Sequence, residues 1–576
     1  MKKSTWYLLA VVIIIVLLLA FITLRLKNTN QQPERESSGA QSTQISGIVV
    51  PHHDLVKDLR AQLFKEVAKQ IKPPQTIILV SPNHYDAGRG QIQTTRKVWS
   101  VLGGTISPEN HIIDALVAKN IATDEPLSFT DEHGIYNILG DIHRNFPEAH
   151  IVPLILKQLS PDTLDALHNE LLEACADCLL VASVDFSHYQ PALLADLHDE
   201  RTLRFLQNID TKNLLTEAEV DSGSSLSLLA RWAQSHNTKK FSLWKRTNSG
   251  VMYEDSDMET TTHMFGWYES GAQTPAKKEV SFTIAGDTMF ARYVDAVYGK
   301  NFIDAFSVFG ERVFWGADAR IINLEGSITK EPIKEKLAND NVNFKFPPSI
   351  TKVLSFLHIN GASQANNHSD NAGDEGITTT RDFLGEIGVS TFSGPHQNDV
   401  LRVAYFKGEG LTLAVVGINL TYPKQIPDVA VPVISEIAKD PSMRIVVIPH
   451  WGIEYATKHS LAQEQAAHMW IDAGADMVVG AHPHVIQDTE LYQGVPIIYS
   501  LGNFLFDQID PTTQTGLIVT GTFTQDGLSW FAFPIRSEHF KPRLLVGAEK
   551  QIILNSLYIP FKQTSTEYGD IINLLK

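Results

Sequence analysis

The chain has 576 residues, of which 43% are hydrophobic and 20% are charged, so it can bury more than one core and is expected to form at least two domains. Its 48 basic and 65 acidic residues give a formal net charge of −17 at pH 7, which argues against nucleic acid as a partner. The only two cysteines, Cys175 and Cys178, exclude a fold that depends on a disulfide framework.

The first 27 residues have the pattern of a membrane anchor. An uncharged apolar run extends from Trp6 to Leu24, and at roughly 1.5 Å per helical residue it reaches across a hydrocarbon core of about 30 Å. The alternative is a cleaved signal peptide, but the run lacks the small-x-small ending that cleavage requires. Basic residues on its two sides are nearly balanced, and the free amino terminus favours a cytoplasmic N-terminus. We therefore expect a single-pass cell-membrane protein whose folded part is extracytoplasmic.

Two polar segments divide the rest of the chain. Residues 28–45 are rich in Gln, Ser and Glu and predict a linker, and residues 271–279 predict a second, shorter linker. The segments 46–270 and 280–545 each alternate short apolar β-rich runs with amphipathic helical stretches. This alternation predicts two α/β domains, and the tail at 546–576 predicts nothing further.

Cys175 and Cys178 lie where a predicted helix meets the apolar run at 179–184. Their spacing permits a redox pair outside the cytoplasm, whereas a zinc half-site would need a second cysteine pair. We expect two ordinary small core residues at this place, with the redox pair as the alternative.

Four clusters of polar residues carry the chemistry of segment 46–270, and three of them directly follow apolar runs. Their histidines are therefore expected to meet at one edge of a sheet. Neutral imidazoles in that position suit a divalent transition metal. A single histidine after a strand is more often a loop or cap residue, so the prediction depends on the four clusters occurring together. The clusters are Pro51-His52-His53-Asp54, Ser81-Pro82-Asn83-His84, Asp131-Glu132-His133 and Asp185-Phe186-Ser187-His188-Tyr189.

These motifs resemble the Memo family, known in bacteria as AmmeMemoRadiSam system protein B, which is similar in fold to the class III extradiol dioxygenases. The resemblance covers residues 46–270 and implies that His52 and His84 are metal ligands and that His188 is an acid/base histidine of the pocket. The family's third ligand is often a cysteine, and Asp221 stands at the matching place. Two histidines and one carboxylate suit a single Fe(II) or Mn(II) ion, and a lost site is the alternative.

The segment 280–545 contains a second set of metal-binding side chains, each next to an apolar run. A mixed set of about six oxygen and nitrogen ligands exceeds what one catalytic zinc needs and suits two ions roughly 3.5–4 Å apart, which hold a phosphate between them. His368 is then free to act as a general acid toward a leaving oxygen. The candidate ligands are Asp287, Glu325, Asn367, His450, His482 and His484.

The motifs around these residues closely resemble the CapA family of capsule and poly-γ-glutamate synthesis proteins, which are similar to calcineurin-type metallophosphoesterases. The resemblance spans residues 279–510 and implies an α/β sandwich, the six ligands and a catalytic His368. Met289 departs from the broader phosphoesterase pattern, which has a histidine there, so one ion is expected to bind more loosely. The motifs are Phe282-Thr283-Ile284-Ala285-Gly286-Asp287, Asn323-Leu324-Glu325-Gly326, Ala365-Asn366-Asn367-His368-Ser369-Asp370, Pro449-His450-Trp451-Gly452, Gly480-Ala481-His482-Pro483-His484-Val485 and Ser500-Leu501-Gly502-Asn503-Phe504.

Three functions follow as hypotheses, each with Mn, Fe or Zn as the metal, two ions in segment 280–545 and one in segment 46–270. The first is a membrane-anchored, extracytoplasmic hydrolase or transferase that acts with other polymer-synthesis proteins on an anionic cell-surface polymer or its phosphorylated carrier. The second is a non-catalytic assembly or export factor whose metal site binds polymer carboxylates. The third is a non-haem iron redox enzyme that uses the Memo-like segment. His368 distinguishes the first two, since only a leaving group requires a proton donor.

Overall fold

The computed structural model describes residues 44–175, 177–330, 342–396, 401–421 and 426–557, together with the backbone of two short strands beyond them. The predicted anchor at 1–27 and most of the linker at 28–45 lie outside these residues. Among the residues described, no helix is long and apolar enough to cross a membrane. Residues 44–576 form one compact unit.

The first half of the chain, residues 44–270, alternates strands and helices as the sequence predicts. Its strands are β1 Ile45–Val50, β2 Thr76–Pro82, β3 Ile92–Thr94, β4 Trp99–Val101, β5 Gly104–Ile106, β6 Thr123–Asp124, β7 His150–Leu156, β8 Leu179–Ser183, β9 Lys240–Asn248 and β10 Thr262–Glu269. Its helices are α1 Lys57–Ala68, α2 Asn110–Ala118, α3 His133–Asn145, α4 Pro161–Ala174, α5 Ala192–Asn208, α6 Thr211–Thr216, α7 Gly223–Ser235 and α8 Ser249–Met252.

These elements build a mixed eight-stranded sheet with the order β6-β3-β7-β2-β8-β1-β10-β9. The central strands β7, β2, β8 and β1 are parallel, and β10 and β9 extend the sheet in antiparallel fashion. Separate apolar clusters cover the two faces, one around Val49 and Ile78 and the other around Ile48 and Ile77. Burial on both faces explains why the central strands read as continuous apolar runs rather than as alternating patterns.

The second half, residues 279–557, contains more strands and shorter helices. Its strands are β11 Glu279–Thr288, β12 Ala319–Leu324, β13 Ser327–Ile328, β14 Lys345–Phe346, β15 Gly361–Ser363, β16 Ser390–Phe392, β17 Val403–Lys407, β18 Thr412–Asn419, β19 Met443–His450, β20 Met477–Val479, β21 Thr489–Tyr492, β22 Val495–Ile498, β23 Asn503–Leu505, β24 Thr515–Thr524, β25 Leu528–Glu538 and β26 Lys541–Leu544. Its helices are α9 Arg292–Tyr298, α10 Arg312–Trp315, α11 Ile350–Phe356, α12 Gly373–Glu386, α13 Val431–Ile437, α14 Leu461–Asp472 and α15 Gly547–Ser556. A hairpin of β27 Gln563–Thr566 and β28 Gly569–Ile572 follows in the tail.

Two sheets pack face to face in this half. The first has the order β16-β15-β12-β11-β24-β25-β26 with β23 beside β11, and the second has the order β17-β18-β19-β20-β22-β21. An apolar cluster that includes Phe282, Val415 and Ile448 joins the facing strands of the two sheets. Further clusters fill the outer faces, where α11 covers the first sheet and α14 covers the second. The expectation of α/β architecture in both halves is therefore confirmed.

Cys175 and Cys178 form a disulfide, so the expectation of an ordinary reduced core pair is wrong. Cys175 follows the last residue of α4 and Cys178 precedes β8, and their Cα atoms lie 5.7 Å apart. The sequence spacing is compatible with either state, and this distance lies in the range that a disulfide requires.

Candidate metal centres

In the second half, the candidate ligands lie at the carboxyl ends of parallel strands from both sheets. The parallel pairs are β11 with β12, β12 with β15, and β19 with β20. Side chains that leave such strands at their carboxyl ends converge on one cleft. Asp287 lies near the end of β11, Glu325 follows β12, Asn367 follows β15, His450 ends β19, and His482 and His484 follow β20.

His450 stands at the centre of the first group of donor atoms. Its Nε2 lies 2.7 Å from Oδ1 of Asn367, 3.1 Å from Nδ1 of His482 and 3.2 Å from Oε1 of Glu325. The side chains of Glu325, His450 and His482 are nearly or fully buried and each offers one ligand atom within 4.8 Å of the others. Asn367, His482 and Glu325 thus each place a side-chain oxygen or nitrogen close to Nε2 of His450.

Glu325 also belongs to a second group, with Asp287 and His484, whose ligand atoms again lie within 4.8 Å of one another. Nδ1 of His484 is 3.2 Å from Oδ2 of Asp287. One carboxylate shared by two donor groups is the arrangement expected of a ligand that bridges two ions.

The charges of this cluster fit bound cations. Neither oxygen of the buried Glu325 accepts a hydrogen bond within the described part of the chain, and an unsatisfied buried carboxylate is costly. Burial and the neighbouring Asp287 raise the pKa of Glu325, and a positive ion between the two carboxylates would reverse that shift. Burial, with the nearby His484, lowers the pKa of His482 to about 4, so its imidazole is neutral and able to bind a metal.

Tight backbone geometry holds the ligands in place. His482 and His484 have positive φ angles of 99° and 58°, which are uncommon for residues other than glycine and mark a loop fixed by its surroundings. A Cβ atom at Gly286 would lie 1.9 Å from the carbonyl oxygen of Gly502, so only glycine fits directly before Asp287. The loops that carry the ligands are therefore closely packed against each other.

In the first half, His52, His84 and Asp221 come together as the sequence predicts. Oδ2 of Asp221 lies 3.3 Å from Nε2 of His52 and 3.7 Å from Nε2 of His84. His52, Asp185 and Asp221 form one group of possible ligands, and His52, His84 and His133 form another. Oδ1 of Asp221 is buried and has no hydrogen-bond partner among the described residues, which again fits a bound cation.

Hydrogen bonds orient these ligands. Oε1 of Glu132 lies 2.6 Å from Nδ1 of His84, and Oγ of Ser183 lies 3.3 Å from Nδ1 of His52. Nδ1 of His263 lies 3.0 Å from Oδ1 of Asp185. Carboxylate and hydroxyl partners of this kind fix the ring orientation of metal-binding histidines.

Residues 281–508 match the family described as bacterial capsule synthesis protein PGA_cap, and residues 18–260 match the family described as Memo-like protein. The PGA biosynthesis protein CapA of Bacillus subtilis (strain 168) is 30% identical over 310 residues, which cover 50% of this chain and 80% of that protein. The chain belongs to the CapA family of capsule synthesis proteins. The capsule biosynthesis protein CapA of Bacillus anthracis is 28% identical over 291 residues, which cover 47% of this chain and 71% of that protein.

A MEMO1 family protein of Caldivirga maquilingensis is 26% identical over 179 residues, which cover 30% of this chain and 63% of that relative. The match therefore spans a little less than two thirds of the Memo relative's length. The predicted fusion of a Memo-like segment to a CapA-family segment is confirmed. We call residues 44–270 the Memo-like half and residues 279–557 the CapA-like half.

His368 borders the ligands of the CapA-like half without being one of the clustered donors. The amide of Asn367 lies 3.1 Å from its Nε2, and Oδ1 of Asn371 lies 3.1 Å from its Nδ1. The ring packs on Phe344 at 4.1 Å between centroids and lines a cavity of about 720 Å³ that also reaches His484. Burial lowers the pKa of His368 to about 4, so the imidazole is uncharged at neutral pH when the site holds no ions.

His188 lies on the loop after β8, beside the ligands of the Memo-like half. Its backbone N–H donates to Oε1 of Glu219 at 3.4 Å, and its side chain is half-buried. Burial lowers its pKa, and the negative charges of Asp221 and Asp185 oppose that shift. The acid/base role of His188 stays a prediction.

The sequence interpretation named Glu132, His133 and Asp185 within its polar clusters without giving them a role at the centre of the Memo-like half, and it did not name His263. The first three stand inside the polar clusters and were visible as acidic or imidazole neighbours of the predicted ligands. His263 lies on strand β10, directly before Met264, and is fully buried. Its only signal in the sequence is a histidine that directly precedes the mainly apolar run at 264–268.

Proposed function

We propose that the protein is a membrane-anchored, extracytoplasmic metal-dependent hydrolase or transferase of the phosphoesterase type, with its main site in the CapA-like half. The shared position of Glu325 between two groups of buried donor atoms carries this proposal, because it suits a pair of ions. Two ions held by Asp287, Glu325, Asn367, His450, His482 and His484 would supply electrostatic stabilisation to a phosphoryl group.

The remaining chemistry belongs to His368. In hydrolysis the oxygen of a water molecule bonds to phosphorus as the bond between phosphorus and the leaving oxygen breaks, and the leaving oxygen takes the proton that a protonated imidazole gives. A phosphate anion in the adjoining cavity would raise the pKa of His368 from about 4, since a nearby negative charge favours the imidazolium. The two ions would act in the opposite direction, so the proposed acid role requires that the effect of the substrate's negative charge on the pKa of His368 exceed theirs.

The proposed substrate is an anionic capsule or poly-γ-glutamate-type polymer, or the phosphorylated carrier of its precursors. The two CapA relatives, named for PGA and capsule biosynthesis, support this choice. The proposed partners are the membrane and other polymer-synthesis proteins. A net charge of −17 disfavours nucleic acid.

In the Memo-like half we propose a single Fe(II) or Mn(II) ion held by His52, His84 and Asp221, with His188 as the pocket acid or base. Two neutral imidazoles and one carboxylate suit such ions. A non-haem iron redox activity of this centre is a further hypothesis.

The low pKa of His368 favours a second candidate function, a non-catalytic assembly or export factor whose ions bind polymer carboxylates. Two substitutions separate the candidates. His482→Ala should abolish both metal binding and turnover, whereas His368→Ala should keep the metal and lower turnover about a hundredfold, the usual contribution of a general acid. The measurements are metal content, hydrolysis of an aryl phosphoester with Mn(II), and surface-polymer yield in cells. If polymer yield were normal with His368→Ala but not with His482→Ala, the hydrolase proposal would be wrong and the assembly factor would be supported.

The proposed location has its own test. A fusion of alkaline phosphatase after Lys576 should be active, because that enzyme folds only outside the cytoplasm, in an oxidising environment. A fusion to a reporter that works only in the cytoplasm is the matched control. Activity of the cytoplasmic reporter alone would refute an extracytoplasmic position for both halves.

A further inference from the structure

Helix α5 of the Memo-like half packs against the CapA-like half. Leu194 and Leu197 on this helix belong to the apolar cluster that fills one face of the first CapA-like sheet. The ring of the neighbouring His198 lies so close to Gly316 that a Cβ atom there would meet it at 2.0 Å. On the same helix, Arg204 forms an ion pair of 2.6 Å with Asp318 across the junction. The contact between the halves is therefore buried and combines apolar packing with an ion pair.

The segment that ends at the predicted ligand Asp221 runs along this junction. Of its acidic side chains at positions 217, 219 and 221, the first two pair with both halves, Glu217 also with Arg201 and Glu219 also with His198 of the Memo-like half. Glu217 pairs with Arg320 of the CapA-like half at 3.3 Å, and the fully buried Glu219 pairs with Arg312 of the same half at 3.4 Å. Asp221, the third of the series, accepts a hydrogen bond of 2.9 Å from the backbone of Asp185.

Arg312 occupies a special place among these partners. The oxygen of Glu219 that it contacts, Oε1, also accepts the backbone N–H of His188 at 3.4 Å. The guanidinium of Arg312 lies 5.7 Å from the ring centre of Tyr189, the residue after His188. One side chain of the CapA-like half therefore contacts both loops of the Memo-like pocket, the one with Asp221 and the one with His188.

We propose that Arg312 is a positioning residue of the metal centre in the Memo-like half. Through Glu219 it fixes the backbone before Asp221 and the backbone of His188, so that the carboxylate meets His52 and His84. This inference rests on the ligand set proposed above. It makes the CapA-like half a structural part of the other half's centre rather than a tethered neighbour.

The physical reason is the burial of Glu219. A fully buried carboxylate is tolerated only while cationic partners and hydrogen bonds compensate its desolvation, and here the partners are Arg312 and His198. Without Arg312, the carboxylate of Glu219 is free to move toward water. Asp221 lies two residues further along the chain and would move with it. Loss of an outer partner of a metal ligand weakens metal binding by about 10- to 100-fold.

The test uses the full chain with His450→Ala and His484→Ala, which removes one histidine from each of the two donor groups of the CapA-like centre. Co(II) is titrated in, and its affinity and visible absorption spectrum report the number and geometry of ligands. We expect Arg312→Met to weaken Co(II) binding about 10- to 100-fold and to change the spectrum. Arg312→Lys, which keeps the charge but not the planar guanidinium, should give a smaller loss in the same direction and serves if Arg312→Met does not fold.

Arg204→Lys is the matched control, because Arg204 also joins the two halves but does not contact residues 217–221. It should leave Co(II) affinity within about twofold. Unchanged affinity with Arg312→Met, or an equal loss with Arg204→Lys, overturns the role of Arg312 while the ligand set stands. If Co(II) fails to bind even before Arg312 is changed, the ligand set itself is wrong and the inference falls with it.

Discussion

The two candidate centres differ in how the fold supplies their proposed ligands. In the CapA-like half the ligands leave strand ends in two packed sheets, and all except Asn367 are buried. In the Memo-like half His84 is 21% exposed, and Asp221 comes from a segment that lies against the other half. Sheets fix side chains rigidly, whereas a segment outside the sheet needs neighbours to hold it. We therefore expect the CapA-like centre to be preformed and the Memo-like centre to depend on its surroundings.

The largest effect is expected from Glu325→Gln. Glutamine keeps the shape of the side chain but removes the charge that both donor groups share. The affinity for both ions should fall by more than the roughly 100-fold that follows removal of a residue that hydrogen-bonds to a metal ligand. Phosphoester turnover should disappear. Metal content after dialysis and hydrolysis with Mn(II) are the measurements.

Glu436→Gln is the matched control for that substitution, because Glu436 is exposed on α13 and pairs only with Lys439 among the described residues. It should retain full metal content. If Glu325→Gln released one ion and kept the other at its original affinity, Glu325 would not be a bridging ligand.

The contrast also explains what the sequence made predictable. All six ligands of the CapA-like half follow or end apolar runs, so position along the chain was enough to bring them together. The contacts that support the ligands were harder to predict from the sequence, because residues such as Arg312 and Glu219 are 93 positions apart and neither stands in a motif. The disulfide between Cys175 and Cys178 was missed because spacing alone does not give the geometry of a turn.

In the Memo-like half, His84→Ala should abolish binding of the single ion that we propose there. The ring offers Nε2 to the centre and is oriented by Glu132, so its loss deletes a ligand rather than a support. We expect metal affinity to fall by at least about 100-fold while the CapA-like half keeps its ions. Metal analysis of the full chain before and after substitution measures both.

The control for His84 is His111→Ala, which removes an exposed imidazole at the start of α2. This variant should retain all bound metal. If the Memo-like half of the unmodified chain held no metal after anaerobic reconstitution, Asp221 would mark a lost site. The comparison would then be between a centre that binds metal and one that no longer does.

A smaller effect concerns pH. Asp199 on α5 is fully buried, and burial raises its pKa to about 7. A carboxyl with a higher pKa in the folded state binds more protons there than when unfolded, so its stabilising contribution is complete below about pH 4 and is lost as the pH rises through about 7. The change is about 4 kcal/mol at most, from roughly 1.4 kcal/mol per pKa unit.

Asp199→Asn should flatten that decline, since the amide keeps the oxygen that accepts from Ser187 and Thr262. The measurement is the free energy of unfolding in urea at several pH values between 4 and 8. Asp382→Asn, at an exposed position on α12, controls for the loss of one surface carboxylate. A steeper decline in Asp199→Asn than in the unmodified chain would contradict the assignment.

The smallest predicted effect tests the junction on which the Memo-like centre depends. A Cβ atom at Gly316 would overlap the ring of His198, which is itself buried against Glu219. Gly316→Ala should therefore lower the free energy of unfolding by about 1–3 kcal/mol, the usual cost of overpacking. Gly385→Ala is the matched control, because a Cβ there meets no atom within 4 Å and alanine suits the helix α12 better than glycine by up to about 1 kcal/mol. If Gly316→Ala were as harmless as Gly385→Ala, the halves would be able to separate slightly at no cost. The junction would then be too loose to position Asp221.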